Sequence, residues 1–460
     1  MNRHHLFEEF REVSAKAWKQ QVQFDLQGAD YNEKLVWESP EGIKVKPFYH
    51  ADDLKALPAT APSGNRWQIA QQMYAGNATM ANEKALQSLS QGVESLLFTV
   101  PTEEVSFSKL LKAIELDRVP VHIGFGFLSL PYLQTVLETG AHSNLFLHVD
   151  SIGHLAKTGN WHQSLEKDLE ILRTLIAANS GGPVKNVVSV DLGIYQNAGA
   201  NMVQQLAYSL AHANEYLNHL FSHKLLTDLK GISFKVAVGS NYFFEIAKIR
   251  ALRILWKSLC KQYGIDVECH ILATPAMRNK TLYDYNLNML RTTTECMSAI
   301  LGGADTVYNM PYDACYRKAN VFSERIARNQ LLLLRHESFF DRAGNPADGA
   351  YYIEELTAQL AARSLELFKQ LEAAGGFLVQ LKSHNLQKKI KESAQKEQAL
   401  FDAQKEVLIG TNKYPDPKDR MKDALQLYPF VKINARKTLL EPIIGKRLSE
   451  ASEQKRLKDE

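Results

Sequence analysis

The amino-acid sequence predicts an α/β fold, a (β/α)8 TIM barrel, and three observations lead to this prediction. Short apolar runs alternate with longer segments whose apolar residues recur at three- and four-residue spacing. Eight such runs are present, and together they span roughly 290 residues, which suits a barrel of about 250 residues with insertions. A doubly wound sheet is the alternative fold for the same alternation.

The elements follow one another in three regions. Residues 1–90 contain a first helix and then Pro40, Pro47, Pro58 and Pro62, which prevent another long helix, so we expect an N-terminal extended arm. Residues 91–382 form the expected barrel. Residues 383–460 begin with a polar helix and continue into a proline- and charge-rich tail, which we expect to be a C-terminal helical tail.

The predicted strands and helices of the barrel rest on periodicity. The strands are Leu96–Val100, Val119–Phe125, Asn144–Asp150, Asn186–Asp191, Ile232–Val238, Val267–Leu272, Asp305–Asn309 and Gly376–Leu381. The clearest helices are Phe243–Leu259 and Tyr351–Ala374, whose apolar stripes should face the strands. The glycine pairs Gly302-Gly303 and Gly375-Gly376 indicate helix ends rather than phosphate-binding loops.

Composition excludes several classes of function. With 54 basic and 51 acidic residues, the chain has a formal net charge of +3, which gives no electrostatic signature of nucleic-acid binding. The start lacks an apolar signal core, and no apolar run approaches the roughly 20 residues of a membrane helix. The four cysteines have neither zinc-site spacing nor the density of a disulfide scaffold. We therefore expect a cytoplasmic protein with no metal and no membrane partner.

Strand parity predicts a charged barrel interior. In Ile232–Val238 the apolar residues alternate with Ser233, Lys235 and Ala237, which should face the lumen. The same parity turns a further set inward: His148, Asp150, Ser189, Asp191, Glu268 and His270. Barrel interiors are usually filled by branched apolar side chains, so these groups require either ion pairing, for instance of Lys235 with Asp191 or Glu268, or a ligand. The strand-end acids Asp150 and Asp191 also resemble a glycosidase pair, but no aromatic sugar platform accompanies them.

Several ordered motifs resemble the methylmalonyl-CoA mutase family of acyl-CoA mutases. They include WKQQVQFDLQGADYNEKLVWESPEGIKVKPFYHADDL (18–54), VGSNYFFEIAKIRALRILW (238–256), LRTTTECMSAILGGADTVYNMPYD (290–313), FSERIARNQLLLL (322–334) and VLIGTNKY (407–414). The resemblance implies a barrel through which the CoA chain threads. It also implies adenosylcobalamin-dependent rearrangement of methylmalonyl-CoA and succinyl-CoA, with cobalamin held by an additional flavodoxin-like domain.

The resemblance fails at the positions that carry the chemistry. An ungapped match places Gly193 and Ile194 at the family's catalytic Tyr-His pair, and no histidine lies between His162 and His212. In the substrate loop, residues 61–76, Tyr74 remains but the first tyrosine has no counterpart. His270 stands where an arginine is expected, and the cobalamin signature DxHxxG is absent, so we expect no flavodoxin-like domain.

These departures imply a non-catalytic chain that binds no cofactor alone. The resemblance predicts a large catalytic subunit as partner in a heterodimer, which carries adenosylcobalamin. One alternative is a barrel that is active with a separate cobalamin-binding chain, and another is a scaffold for cobalamin loading. For the lumen, the alternative to ion pairing is a retained ligand hole with Lys235 near a CoA phosphate.

Overall fold

A closed barrel of eight parallel strands forms the centre of the molecule, as the sequence predicts. The structure, a computed structural model, describes residues 9–10, 13–53, 66–139, 144–432 and 435–460. The barrel strands, in chain order and also in spatial order around the closed sheet, are β3 (Gln68–Tyr74), β4 (Ser95–Val100), β5 (Val121–Phe125), β6 (Leu145–Val149), β7 (Asn186–Asp191), β8 (Gly231–Val238), β9 (Glu268–Pro275) and β10 (Thr306–Tyr308). Two shorter strands, β1 (Trp37–Glu38) and β2 (Lys44–Val45), form an antiparallel pair in the arm.

Helices surround the barrel and continue beyond it. In the described part of the chain they are α1 (Ala15–Asp25), α2 (Tyr31–Leu35), α3 (Ala78–Ser90), α4 (Phe107–Leu110), α5 (Leu130–Thr139), α6 (Ser151–Thr158), α7 (Leu165–Ala178), α8 (Gly193–Asn197), α9 (Met202–Ser222), α10 (Tyr242–Gln262), α11 (Leu287–Leu301), α12 (Val321–His336), α13 (Tyr351–Ala373), α14 (Gly376–Lys382), α15 (Asn385–Asp402) and α16 (Glu450–Asp459). Short 3-10 turns occur at Ala51–Asp53, Leu226–Asp228 and Lys422–Ala424. The outward residues of the strands pack under these helices, as Phe234 and Val236 of β8 illustrate.

One predicted strand is wrong, and the structure supplies another in its place. Residues 376–381 form helix α14, in which Phe377 and Leu381 are fully buried while Val379 is exposed. Burial four residues apart is the period of a helix, which a short apolar run does not reveal. The eighth barrel strand is instead β3, which pairs with both β4 and β10. The barrel therefore begins near residue 68, earlier than the predicted boundary at residue 90.

The arm lies partly on its own barrel. Ile43 is fully buried, and the ring of Tyr49 lies 5.3 Å from that of Tyr352 on α13. Helix α1, in contrast, has no buried residue, and the side chain of Phe24 is 78% exposed. The predicted positions Pro58 and Pro62 and residues 61–65 of the substrate loop lie outside the described residues.

The C-terminal residues 435–450, here called the roof segment, cross the open end of the barrel. Their backbone amides donate to carbonyl groups that follow three different strands: Ile443 to Ala156 at 2.7 Å, Lys446 to Asn197 at 2.9 Å and Leu448 to Arg278 at 2.8 Å. Because these carbonyls belong to connections after β6, β7 and β9, the roof segment links separate parts of the barrel mouth.

Among the described residues, no helix is both long enough and apolar enough to span a bilayer.

Candidate functional site

A cavity of about 730 Å³ opens at the carboxyl ends of the barrel strands. Its wall combines inward residues of the strands with residues of α6 and α8. Its outer part is lined by Pro429, Phe430, Val431, Ile443, Gly445, Lys446, Arg447 and Glu450. In barrels of this type, the loops and strand ends at this face build the binding and catalytic sites. The cavity is therefore the candidate functional site.

Lys235 reaches into this cavity without the ion pair that the sequence suggested. Its backbone pairs with that of Asp191 in the sheet, yet among the described residues no carboxylate lies within 4.0 Å of its Nζ, and no hydrogen bond to Nζ is found. A Cβ added to Gly124 would lie 4.0 Å from that Nζ. Since Gly124 belongs to β5, three strands away around the barrel, the lysine crosses the lumen.

Gly193 and Ile194 both line the cavity, at the start of α8. The N–H of Gly193 donates to Oδ1 of Asp191 at 2.8 Å, and a Cβ at residue 193 would lie 2.8 Å from the same oxygen. A larger residue there would require the Asp191 carboxylate to move. The connection between β7 and α8 therefore has no acid or base at residues 193 and 194, and the position of the Asp191 carboxylate leaves room only for glycine at residue 193.

Asp150 is held by a buried group of polar side chains. Its Oδ1 accepts hydrogen bonds from the Gly153 N–H at 2.8 Å and from the Tyr216 hydroxyl at 2.9 Å. Nε2 of His212 also lies 2.9 Å from Oδ1. The other ring nitrogen of His212 contacts the Tyr195 hydroxyl at 2.9 Å.

These contacts decide the ionisation of Asp150. Burial alone would raise the pKa of this carboxyl, but nearby His212 and the hydrogen bonds from Gly153 and Tyr216 lower it below its usual value. Its second oxygen accepts a hydrogen bond from the Asp191 backbone N–H at 3.3 Å. Both strand-end carboxylates are thus used to fix local backbone and side chains, which argues against the glycosidase alternative.

Aromatic and imidazole rings close the lumen beneath the cavity. His122 stacks on Phe146 at 4.5 Å between ring centroids, and His270 lies 5.0 Å from His122 and 4.5 Å from Phe146. His148 hydrogen-bonds to His122 at 3.2 Å between ring nitrogens. Burial, with Lys235 as a further cause, lowers the pKa of His148 and of His122 well below the usual value, so both rings are neutral at pH 7.

Two predicted site residues lie away from the cavity. Glu268, expected in the lumen, is exposed at the first position of β9. There it pairs with Gly231 of β8, whereas the described pairing of β9 with β10 begins only at Leu272. Tyr74 ends β3 with 71% of its surface exposed and does not line the cavity. His270 does face the lumen, where its Nε2 contacts the Thr306 hydroxyl at 3.0 Å and burial lowers its pKa.

Sequence reasoning missed three parts of the site. His122 and Phe146 follow the same strand parity that placed His148 inward, so the pattern contained this signal. His212 lies on α9, and nothing in the sequence relates it to Asp150. The contribution of the roof segment depends on contacts between residues far apart in the chain, which periodicity does not reveal.

Among the described residues, no group of three or more His, Cys, Asp or Glu side chains has an arrangement that could hold a metal ion.

A closed (β/α)8 barrel with a polar-walled cavity at the carboxyl ends of its strands belongs to the class of enzyme-type barrels. Similarity to known proteins gives the family. A family model described as methylmalonyl-CoA mutase matches residues 105–457. The chain therefore belongs to the methylmalonyl-CoA mutase family, which is a family of isomerases.

Three relatives illustrate the similarity. The methylmalonyl-CoA mutase small subunit of Porphyromonas gingivalis is 34% identical over 449 residues, with 89% of this chain and 71% of that relative covered. The methylmalonyl-CoA mutase of Rhizobium meliloti is 29% identical, with 90% of this chain and 66% of that relative covered. The large subunit from Streptomyces virginiae is 28% identical, with 90% and 64% covered. The chain thus spans about two thirds of the length of these relatives.

Proposed function

We propose that this chain is the small, non-catalytic subunit of a heterodimeric, adenosylcobalamin-dependent methylmalonyl-CoA mutase, and that it stabilises the large catalytic subunit. One observation carries the proposal: Gly193 and Ile194 occupy the cavity wall where the family resemblance places a catalytic Tyr-His pair. General acid-base catalysis needs a group that can exchange a proton with substrate, and neither side chain can do so. The similarity to the Porphyromonas gingivalis small subunit supports the same role.

Adenosylcobalamin would be carried by the large subunit in this proposal. The mouth of this barrel does not fit a corrin ring, because the roof segment and Pro429, Phe430 and Val431 line its outer side. The roof amides are hydrogen-bonded to loops around the mouth, so they would have to separate from these loops before a large planar ring could lie there. No step of chemistry is therefore assigned to the cofactor in this chain.

The arm is the surface that best suits the large subunit. Trp37 is 50% exposed, and Phe48, which contacts the ring of Trp18 at 4.6 Å, is 40% exposed. Together with Phe24 these rings leave more aromatic surface in solvent than scattered single residues would. We expect a heterodimer interface above about 2,000 Å² in total, in the range of obligate complexes.

A cytoplasmic location agrees with the state of the thiols. Cys260, Cys269, Cys296 and Cys315 are all free, and unpaired thiols are typical of reducing compartments. Burial raises the pKa of Cys260 to about 11 and that of Cys269 to about 12, so neither is a reactive thiolate at neutral pH.

Activity and assembly measurements test the proposed function. The purified chain, mixed with adenosylcobalamin and methylmalonyl-CoA, should form no succinyl-CoA, whereas the chain co-expressed with its large subunit should be recovered in an active complex. The large subunit expressed alone is the control and should be recovered in lower yield. Succinyl-CoA formation by the isolated chain, or after addition of a separate cobalamin-binding chain, would overturn the proposal in favour of a catalytic barrel.

A further inference from the structure

The cavity is closed on the side where a threaded chain would have to leave it. The rings of His122, Phe146 and His270, from β5, β6 and β9, contact one another across the lumen, and His122 is fully buried. Close-packed rings leave no passage for a linear chain of atoms. A ligand can therefore enter only from the mouth, and it must end above this floor.

The wall presents a cation that has no acidic partner. Among the described residues, Nζ of Lys235 makes neither an ion pair nor a hydrogen bond, although the side chain is partly buried. A bound anion stabilises the charged ammonium group of such a lysine, because it replaces the water contacts that burial has removed. Gly124, on the far side of the lumen, leaves space beside Nζ because it has no side chain.

The floor also offers a hydrogen-bonding group, because His148 pairs in the sheet with Gly124, the residue beside Nζ of Lys235. His148 lines the cavity and is 6% exposed, and its Nδ1 is a buried atom without a protein partner. Its Nε2 shares one hydrogen bond with Nδ1 of His122. If His122 donates that proton, Nδ1 of His148 carries a hydrogen and can donate to a ligand oxygen. A neutral donor and a lysine that line the same cavity suit a carboxylate or a phosphate.

The remaining charges of the wall favour the same ligand. Asp150 contacts His212 and Tyr216, and Asp191 accepts a hydrogen bond from the Gly193 N–H. Glu450, the third carboxylate of the wall, accepts from the Val431 N–H at 2.8 Å. Lys157 and Lys446 also line the cavity near its mouth, and neither makes an ion pair within 4.0 Å of a described carboxylate. The carboxylates are thus held by the protein itself, whereas the lysines remain available to an incoming anion.

We propose that the lumen is a blind pocket that binds a compact anion, a small carboxylate or phosphate, between Lys235 and His148. A volume of about 730 Å³ lies within the range of about 300–1,000 Å³ that is usual for small-molecule sites. The proposal goes beyond the role as partner subunit, since it gives this barrel a ligand of its own. It also replaces the expectation that the extended arm of CoA threads the lumen.

Calorimetric titration of the full-length chain tests this site, with inorganic phosphate, succinate and pantetheine as three separate probes. Phosphate or succinate should bind saturably and more weakly as salt increases, since screening reduces charge attraction. Comparison of the two separates a phosphate from a carboxylate site. Pantetheine, which is uncharged and has the length of the CoA arm, should not bind.

Substitutions then locate the site. Lys235→Met should weaken the binding of the preferred anion by about 10-fold or more, which is about 1.4 kcal/mol, whereas Lys388→Met, an equal charge change on the exposed face of α15, should leave it unchanged. Should Lys235→Met fail to fold, Gly124→Ala, which places a methyl group beside Nζ, should weaken binding instead.

Three outcomes would overturn the proposal: no saturable binding of either anion, equal binding by the Lys235→Met and Lys388→Met proteins, or saturable binding of pantetheine. All measurements use the isolated chain. Their result is therefore independent of whether the large subunit is its partner.

Discussion

At the scale of single residues, the strand ends of β6 and β7 serve the architecture rather than catalysis. Asp150 receives two hydrogen bonds and a close histidine, and it also accepts from the backbone of Asp191. Such a carboxylate fixes the start of α6 and joins it to α9. Without these partners, Asp150 would be a candidate catalytic acid or base. Its hydrogen bonds instead give it a structural role.

Replacement of Asp150 measures this structural role. Because its pKa is lowered in the folded chain, its ionised form stabilises the fold above the unfolded pKa of about 3.9, and this contribution is lost as the pH falls through the lower folded value. We expect Asp150→Asn to lower the free energy of unfolding by about 2–3 kcal/mol at pH 7, and by less at pH 3, as measured by urea denaturation.

Asp191→Asn is the matched control for this experiment. Asp191 also ends a strand and lines the cavity, but its described side-chain hydrogen bond is the single one from Gly193. We expect a loss below about 1 kcal/mol. Equal losses for the two variants, or a loss for Asp150→Asn that does not shrink at low pH, would contradict the role given to the Asp150 contacts.

Strand parity predicted part of the site from the sequence because alternation is a property of the strand itself. It placed Lys235, Ser189 and His148 at the cavity, where the structure has them. It failed for Glu268, which is the first residue of β9 and is exposed. Alternation tells which side a residue faces but not how far along the strand the barrel interior begins. The pairing expected for Lys235 failed because adjacent Cα positions do not fix where long side chains end.

At the scale of elements, β3 and α14 show that the periodicity of apolar residues does not always distinguish a strand from a helix or a loop. Residues 376–381 read as a strand because four of their six side chains are apolar, but Gly375 and Gly376 both have positive φ and turn the chain from α13 directly into another helix. The segment Gln68–Tyr74 was not among the predicted strands, because the family resemblance assigned it to the substrate loop, residues 61–76. Gln72 faces the cavity, whereas Gln71 points to the outer side and accepts a hydrogen bond from Arg328 of α12. Polar side chains on both faces remove the alternation that marks a strand.

Helix α1 is the element whose removal tests the contact with the large subunit. It has no buried residue, so deletion of residues 1–28 should change the free energy of unfolding of the isolated chain by less than about 1 kcal/mol. The buried arm residues Tyr31 and Ile43 remain in this variant. We expect recovery of the complex with the large subunit to fall by about 10-fold in co-purification, an order-of-magnitude loss consistent with removing part of an obligate interface.

A pair of point variants refines this test. Phe24→Ser, on α1, should weaken the complex, whereas Phe221→Ser should not, since Phe221 is a similarly exposed ring at the end of α9. Undiminished recovery of the complex by the deletion variant, with the barrel still folded, would reject the arm as the binding surface and leave it as a cover for its own barrel.

At the scale of the whole molecule, the closed barrel was predictable, but the segment that crosses its mouth was not. Eight repeated strand-helix units leave a periodic signal in the sequence, whereas the roof segment has little regular structure. Its position depends on hydrogen bonds such as Leu448 N–H to Arg278 and Lys446 N–H to Asn197, between residues far apart in the chain. One buried ion pair anchors it: Nη1 of Arg447 lies 2.5 Å from Oε2 of Glu453, with side-chain exposures of 5% and 1%.

Glu453→Gln tests whether this pair holds the roof over the cavity. The change leaves Arg447 buried without its charge partner, which costs about 3 kcal/mol, whereas Gln retains an oxygen that can accept from the Leu282 N–H, bonded to Glu453 at 2.7 Å. If this cost lowers the free energy of local opening of the roof segment, the amide hydrogens of residues 443–448 should exchange roughly 100-fold faster, as measured by mass spectrometry. Glu392→Gln, which breaks the exposed pair with Lys389, should not change exchange there. Unchanged exchange in residues 443–448, or equal acceleration in β7 and β8, would mean that the pair stabilises the whole fold and that the roof is held by its backbone hydrogen bonds alone.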